Sequence, residues 1–304
     1  MRSHDPRFFP QLLMENFWLL GIYYFNIYYI KGSKASALIE MGVSAITDLV
    51  IKQLDFLNGR PDYLILTHPH ADHLTGLDGL QKRFPDALVI SGKGAEKFIA
   101  HPKAVEAMFK EDLYISNSLA NLGVQPGRQP LNKPISILNN LEAERKFEVD
   151  LGGVILNILK IGGHSPGNVI VHIPDLNVLI VSDSLGFHYP GRGILPLYLT
   201  DFSDYVSTLS LMESLNPEML CLAHQGTIPS PEVKGAFRTA RESTFKILSR
   251  VRNERNLAEL AGQIFTECYK DEFTVYSEGN IKSVAQLLVK RALEYEIDCG
   301  QITR

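Results

Sequence analysis

The stretch THPHADHLTG, residues 67–76, holds three histidines and one aspartate within six consecutive positions. The run before it, Tyr63–Leu66, is short and apolar, which predicts a buried strand. The run after it, from Leu77 to Phe84, is predicted to be a helix. The histidines are therefore expected on the loop where a strand ends, a position at which a rigid scaffold directs side chains to a common site.

The residue types and their spacing in this loop indicate a metal site. Neutral imidazole and carboxylate are nitrogen and oxygen ligands that zinc and iron use in proteins. Because alternate residues of an extended segment point the same way, His68 and His70 can share one metal ion. Asp72 and His73 lie where the chain turns and can face a second ion. We therefore expect metal chemistry here rather than a polar surface loop.

Three more candidate ligands stand at the ends of predicted strands. They are His164 after the run 154–159, Asp183 after the run 178–182 and His224 after the run 219–223. Together with the first cluster they form the pattern HxHxDH…H…D…H. Over roughly residues 17 to 230 the chain resembles the metallo-β-lactamase superfamily, whose ligand pattern is matched at every position. One small departure is Glu40, where the family often carries an aspartate.

The resemblance implies a role for each ligand. His68, His70 and His164 would bind one metal ion, Asp72, His73 and His224 would bind a second, and Asp183 would bridge the two. Zinc, iron and manganese all suit imidazole and carboxylate ligands. Two such divalent ions lower the pKa of a water held between them towards about 7. The resemblance thus implies a hydrolase with a metal-bridging hydroxide, in which Asp72 and Asp183 serve catalysis and Asp72 orients the hydroxide.

The order of predicted elements indicates an α/β fold. Strands are expected near residues 16–21, 22–30, 35–40, 87–90, 154–159, 169–173 and 178–181, and helices near 44–57, 93–100, 103–121 and 203–215. The proline- and glycine-rich segment 123–140 is predicted to be a loop. Strands cluster in each half with helices between them, which predicts an αββα sandwich of two mixed β-sheets, the metallo-β-lactamase fold, in residues 1–230.

From residue 231 onward the pattern predicts helices without strands. Phe237, Phe245, Leu248 and Val251 would mark the buried face of the first, and apolar residues within 257–264 and 281–292 would mark two more. We therefore expect a C-terminal helical region, residues 231–304. Such tails occur in the glyoxalase II branch of the superfamily and in the quinolone-signal thioesterase of pseudomonads, which the chain resembles.

Three substrate-binding candidates lie outside the ligand set. Lys234, Arg238 and Arg241 recur on one helix face, so Arg238 and Arg241 could hold the phosphates or carboxylates of an acyl carrier. A solvated helix face is the alternative. His188, which follows Asp183 in the chain, is a candidate proton donor to the substrate.

Composition narrows the class of partners. The chain of 304 residues is 45% hydrophobic with a formal net charge of −4, so charge provides no reason to expect nucleic acid or an anionic membrane. The apolar run Phe17–Ile30 is too short to span a bilayer. Cys221, Cys268 and Cys299 are few, odd in number and far apart, which favours a reducing cytoplasm over a disulfide framework.

The expected function is therefore a dinuclear metal hydrolase that cleaves a small-molecule thioester, of the acyl-CoA or glutathione type. A thiolate leaves with little acid assistance, because the pKa of a thiol is about 8.5. A lactonase or other ester hydrolase is the nearest alternative. Two alternatives come from other classes: a persulfide dioxygenase with a single iron, whose loop residues 67–73 also resemble, and a regulatory protein that retains the metal site. A homodimer is also left open.

Overall fold

The computed structural model describes residues 9–300, and its main feature is a pair of β-sheets packed face to face. The first sheet has seven strands in the order β1 to β7. Their bounds are β1 Gln11–Met14, β2 Phe17–Ile22, β3 Phe25–Lys31, β4 Ser36–Ile39, β5 Tyr63–Leu66, β6 Leu88–Gly92 and β7 Asn140–Ala143. The strands β1 to β4 are antiparallel neighbours, whereas β4 to β7 are parallel.

Helices provide the crossovers that parallel neighbours require. These are α1 (Thr47–Phe56) between β4 and β5, α2 (Ala71–Leu74) and α3 (Leu77–Arg83) between β5 and β6, and α4 (Ala95–Ile99) and α5 (Pro102–Asn121) between β6 and β7. The helices predicted near 44–57 and 103–121 are therefore confirmed to within three residues at each end. The predicted loop is also confirmed, since residues 123–139 contain no helix or strand.

The second sheet has six strands in the order β15-β14-β11-β10-β9-β8. Their bounds are β8 Lys146–Asp150, β9 Ile155–Lys160, β10 Val169–Ile173, β11 Val178–Ile180, β14 Met219–Cys221 and β15 Thr227–Pro229. Between β11 and β14 the chain forms a hairpin, β12 (Phe187–Tyr189) and β13 (Gly193–Leu195), and the helix α6 (Phe202–Ser214). The α6 N-terminus is capped by Asp201, which accepts a hydrogen bond from the Asp204 backbone N–H at 2.7 Å.

An apolar core fills the space between the two sheets. Tyr28, Ile65 and Ile90 of the first sheet pack with Ile158 and Val171 of the second in one buried cluster. The opposite face of each sheet is covered by helices, and a second buried cluster fills those layers. Because strands buried on both faces read as continuous apolar runs, most of them were predictable from the sequence. The predicted αββα sandwich is confirmed.

The strands that the sequence pattern did not predict lie mainly at sheet edges. The strands β1 and β7 are the two edges of the first sheet, and β8 is an edge of the second. In β8 most side chains are exposed or half-buried, and only Val149 is fully buried. An edge strand is covered by fewer neighbours, so it tolerates polar residues and lacks the apolar run on which the prediction depends. The hairpin of β12 and β13 is likewise outside the predicted strands.

Three helices form the C-terminal region: α7 (Val233–Asn253), α8 (Leu257–Cys268) and α9 (Glu278–Asp298). The prediction of three helices is confirmed, but the placement of Phe245 on a buried face is wrong, because this side chain is 42% exposed. At about 100° per residue, position 245 lies roughly 80° around the helix from Phe237. The buried Thr244 lies only about 20° from Phe237. No helix within residues 9–300 is long and apolar enough to cross a bilayer. The domain boundary near residue 231 stays a proposal.

Candidate metal centre

The seven predicted ligands lie together at one edge of the sandwich. His68 and His70 follow β5, Asp72 and His73 lie in α2, His164 follows β9, Asp183 lies in a 3-10 turn after β11, and His224 follows β14. The strands β9, β11 and β14 run in the same direction, because β10 is antiparallel to β9 and β11 while β14 is parallel to β11. Their carboxyl ends therefore meet at one edge, which brings ligands distant in sequence into one cluster.

The first group consists of three imidazoles around one point. The nitrogen atoms His68 Nε2 and His70 Nδ1 lie 3.1 Å apart, and His164 Nε2 is 3.2 Å from the former and 3.1 Å from the latter. Asp183 Oδ2 completes the group at 3.9 Å from His68 Nε2 and 3.7 Å from His164 Nε2. Four ligand atoms thus converge, three from nitrogen and one from oxygen.

The second group is built around Asp72 and uses Asp183 again. Asp72 Oδ2 lies 3.2 Å from His73 Nε2 and 3.6 Å from His224 Nε2. Asp183 Oδ2 is 3.5 Å from His73 Nε2, and its other oxygen, Oδ1, is 3.3 Å from His224 Nε2. Within each group the ligand atoms all lie within 4.8 Å of one another, and Asp183 is the residue common to both groups.

Hydrogen bonds to Nδ1 fix the orientation and the tautomer of two of these rings, His164 and His224. His164 Nδ1 donates to the Leu197 carbonyl oxygen at 2.8 Å, and His224 Nδ1 donates to the Tyr24 carbonyl oxygen at 2.6 Å. A carbonyl only accepts, so in each neutral ring the proton lies on Nδ1 and the Nε2 lone pair faces the cluster. This is the tautomer that a metal ligand requires.

His73 is oriented by Glu40, whose importance the sequence did not reveal. Glu40 Oε2 lies 2.9 Å from His73 Nδ1, and Glu40 Oε1 accepts a hydrogen bond from the Thr67 hydroxyl at 2.8 Å. Glu40 is buried and has a φ of 72°, a left-handed conformation that costs free energy for a residue other than glycine. The available signal was its departure from the aspartate that the family often carries.

Comparison with known sequences agrees with this site. The sequence profile of the metallo-beta-lactamase superfamily matches residues 22–224, two thirds of the chain. The chain belongs to the metallo-β-lactamase superfamily. The matched span contains all seven predicted ligands, so the resemblance inferred from their pattern is confirmed at the level of the superfamily. The narrower resemblance to the glyoxalase II branch stays a prediction.

Individual superfamily members share the fold at low sequence identity. A metallo-beta-lactamase fold-containing protein of Sulfurisphaera tokodaii is 27% identical over 210 residues, which span 68% of this chain and 75% of that protein. A probable metallo-hydrolase of Bacillus subtilis is 23% identical over 205 residues, which span 66% and 80%. The crystal structure of a metallo-beta-lactamase family protein from Thermus thermophilus aligns with a TM-score of 0.62 at 21% identity, over 96% of this chain and 97% of that one. That last likeness establishes the fold alone.

The charges in the two ligand groups favour binding of a cation. Burial lowers the pKa of the His68 and His164 imidazoles and lowers the pKa of His70 to about 3, so these rings stay neutral. Burial opposes charge on His73 as well, but the carboxylates of Asp72, Glu40 and Asp183 outweigh it and raise the pKa of that ring. A positive charge is therefore favoured beside His73 Nε2.

Two buried atoms of the second group support the same conclusion. His73 Nε2 and Asp183 Oδ1 are buried without a well-oriented hydrogen-bond partner. Although burial would raise the pKa of Asp183, the imidazoles of His73 and His224 hold it well below its usual range. Ionised carboxylate and imidazole nitrogen suit zinc, iron and manganese. The residues present therefore fit two metal ions, and the donor set does not select among these metals.

The C-terminal region also reaches the cluster, through Tyr276. This residue lies in the turn between α8 and α9, and its hydroxyl donates to Asp72 Oδ2 at 2.8 Å and lies 3.4 Å from His224 Nε2. Burial, together with the nearby Asp72 and Asp183 carboxylates, raises the pKa of the Tyr276 phenol well above its usual value. Tyr276 is therefore a neutral hydrogen-bond donor, and neither periodicity nor a motif in the sequence indicated it.

The predicted substrate residues do not contact the ligands as Tyr276 does. His188 lies in β12, half-buried, and its Nδ1 is buried without a hydrogen-bond partner. Burial lowers the pKa of this ring. Arg238 is exposed on α7, and Arg241 forms an ion pair with Glu213 of α6 at 2.9 Å. The roles predicted for His188, Arg238 and Arg241 stay predictions.

Proposed function

We propose that this protein is a dinuclear metal hydrolase that cleaves thioesters of the acyl-CoA or glutathione type. The observation that carries the two-metal proposal is Asp183, whose two oxygens face different histidines and which belongs to both ligand groups. His68, His70 and His164 would hold one ion, and Asp72, His73 and His224 the other. A bound metal pair supplies an activated water at neutral pH and polarises the substrate carbonyl.

The contacts of Tyr276 favour a thiolate as the leaving group. An amine or alkoxide leaving group needs a proton donor, whereas a thiolate needs little help because a thiol has a pKa of about 8.5. The Tyr276 hydroxyl, which reaches the cluster, already donates its proton to Asp72 Oδ2 at 2.8 Å. A substrate that leaves without that proton therefore suits this site better than an amide or a simple ester.

The surroundings of His70 favour an apolar or aromatic acyl group. His70 and Asp72 are half-buried, while the other five ligands are buried, so the cluster opens to solvent on their side. The ring of Phe98 from α4, also half-buried, lies edge-on to His70 with 6.3 Å between centroids. An aromatic side chain at the mouth of a site provides a surface on which an aromatic acyl group can stack.

The acyl carrier of the substrate would bind at the basic face of α7. We retain Arg238 and Arg241 as candidates to bind the phosphates or carboxylates of an acyl carrier, as the spacing on α7 suggests. The Arg241 guanidinium would then exchange its exposed partner Glu213 for the carrier, which costs little because exposed ion pairs are weak.

The three cysteines are free thiols, which supports a cytoplasmic location.

Metal analysis combined with a substrate panel tests this proposal. Elemental analysis of the purified protein is expected to give close to two transition-metal ions per chain. Hydrolysis should be independent of oxygen and fastest on thioesters with an activated or aromatic acyl group, compared with lactones and phosphodiesters.

Other outcomes of this experiment would assign a different function. Stable loading of a single ion in excess metal would rule out the two-metal proposal. Oxygen consumption with a persulfide, and no thioester hydrolysis, would assign the protein to the persulfide dioxygenases. Preference for lactones would retain the metal pair but replace the substrate class.

A further inference from the structure

Tyr276 of the C-terminal helical region contacts residues of the second ligand group, Asp72 and His224. The Tyr276 hydroxyl donates to Asp72 Oδ2 at 2.8 Å and is 3.4 Å from His224 Nε2. Asp72 Oδ2 is also the oxygen that faces His73 Nε2 at 3.2 Å, so it is the oxygen available to a metal ion. Tyr276 therefore occupies one lone pair of a candidate metal-ligand atom and leaves the other directed into the group.

The position of Tyr276 is fixed by hydrogen bonds to its own backbone and to the next residue, Ser277. Glu111 of α5 is buried, and its two carboxylate oxygens accept hydrogen bonds from the Ser277 backbone N–H at 2.9 Å and the Ser277 hydroxyl at 2.6 Å. On the other side, the Tyr269 hydroxyl donates to the Tyr276 carbonyl oxygen at 3.1 Å. The turn is thus held at adjacent residues, one of which presents its side chain to the cluster.

Aromatic packing holds the Tyr276 ring independently of its hydroxyl. The ring is edge-on to Phe273 at 5.4 Å, to Phe25 at 6.3 Å and to Phe187 at 6.4 Å between centroids. These contacts do not involve the oxygen atom, so a phenylalanine at this position would keep the packing. The hydroxyl can therefore be removed without disturbing the fold of the turn, which separates its effect from that of the ring.

We propose that Tyr276 is a positioning residue that sets the metal affinity of the second ligand group by orienting Asp72. Hydrogen-bonding partners of metal ligands fix ligand orientation, and their removal typically costs about 10- to 100-fold in metal affinity. Asp72 belongs to the second group and not to the first, so the effect is confined to one of the two ions. The inference rests on the two-metal part of the proposed function and is independent of the substrate class.

The test is the substitution Tyr276→Phe, with Tyr295→Phe as the matched control. Tyr295 lies in α9, where its ring packs against Phe202 at 4.6 Å between centroids. Zinc affinity is measured by competition with a chromophoric chelator, and the number of bound ions by native mass spectrometry. In Tyr276→Phe we expect one of the two dissociation constants to rise about tenfold while the other stays unchanged. The control should match the parent at both.

A second variant tests the same inference through the backbone. Glu111→Gln weakens the hydrogen bonds from Ser277 and should raise the same dissociation constant, by less than Tyr276→Phe does. Equal affinities of parent and Tyr276→Phe at both positions would overturn this inference and leave the proposed function standing. An equal loss at both positions would also overturn it, because the effect would then not pass through Asp72. A parent that binds only one ion would overturn both proposals.

Discussion

Asp112 tests how this fold holds residues 67–76, the segment that contains four of the candidate ligands. This fully buried residue of α5 accepts four hydrogen bonds. Its Oδ1 accepts from the Thr75 hydroxyl and from the Ser44 backbone N–H at 3.2 Å, and its Oδ2 accepts from the Ser44 hydroxyl at 2.6 Å and the Leu131 backbone N–H at 2.7 Å. One carboxylate thus joins the end of the segment 67–76, the turn before α1 and the long loop 123–139.

The expected loss in the free energy of unfolding of Asp112→Ala depends on whether each hydrogen-bond donor keeps another acceptor. The Ser44 N–H keeps an acceptor, the Thr75 hydroxyl oxygen at 3.0 Å, whereas the Leu131 N–H is left without one. An orphaned donor costs about 1–3 kcal/mol when buried and less at the half-buried Leu131, and each lost bond to a charged group costs about 1.5–3 kcal/mol. Because hydroxyls can turn to new partners, we expect a total loss of about 3–4 kcal/mol in the free energy of unfolding.

Asp112→Asn should cost roughly half as much, because one oxygen remains as an acceptor. In either orientation the new amide group turns its N–H towards a backbone N–H, of Ser44 or of Leu131. The assay is equilibrium unfolding in urea followed by far-ultraviolet circular dichroism. Glu106→Ala is the control, since Glu106 is an exposed acid of the same helix that forms an ion pair with Lys110, and its urea midpoint should not change.

An Asp112→Ala variant whose unfolding free energy is as high as that of the control would refute this reasoning. A loss in Asp112→Asn equal to the loss in Asp112→Ala would refute the part that assigns each oxygen its own donors. A change in the slope of free energy against urea would show instead that the substitution altered the compactness of the unfolded or native state.

Three further predictions concern the site. Glu40→Ala should weaken zinc binding by the second group about 100-fold and Glu40→Gln about tenfold, because a glutamine oxygen can still accept from His73 Nδ1. Asp183→Ala should lower thioester turnover at least ~10²-fold and reduce the metal content, because this carboxylate belongs to both groups. Replacing Arg238 and Arg241 together with alanine should raise KM for a CoA thioester, leave kcat nearly unchanged and spare a short thioester.

Each of these has a control substitution at an exposed position. The controls are Glu148→Ala for Glu40, His101→Ala for Asp183 and Arg255→Ala for the arginine pair. Parental zinc affinity in Glu40→Ala would show that His73 does not need this partner. Parental turnover in Asp183→Ala would show that the site is misplaced, and a short thioester that responds as strongly as the CoA thioester would remove the carrier role of the two arginines.

The clustering of the candidate metal ligands was predictable because their signal is local. His68, His70, Asp72 and His73 lie within six consecutive residues, and each of the other three follows an apolar run that predicts a strand. Glu40 and Tyr276 carry no such signal, since their partners His73 and Asp72 are 33 and 204 residues away in the chain. A buried acid or a tyrosine in a turn acquires its role only when folding brings a donor or acceptor to it.

In the C-terminal region, too, the local elements were predictable from the sequence, whereas their long-range contacts were not. Helical periodicity predicted α7, α8 and α9, because an amphipathic helix is a local pattern. It did not predict how the turn between α8 and α9 docks, because the turn has no periodicity and depends on Glu111, which lies 166 residues from Ser277. The arginines of α7 suggested a role in binding charged groups, yet the contact with the candidate ligands comes from a buried tyrosine in that turn. Part of the second ligand group's environment therefore belongs to the helical region, so we expect a substitution at Tyr276 to alter metal affinity although no candidate ligand lies in that region.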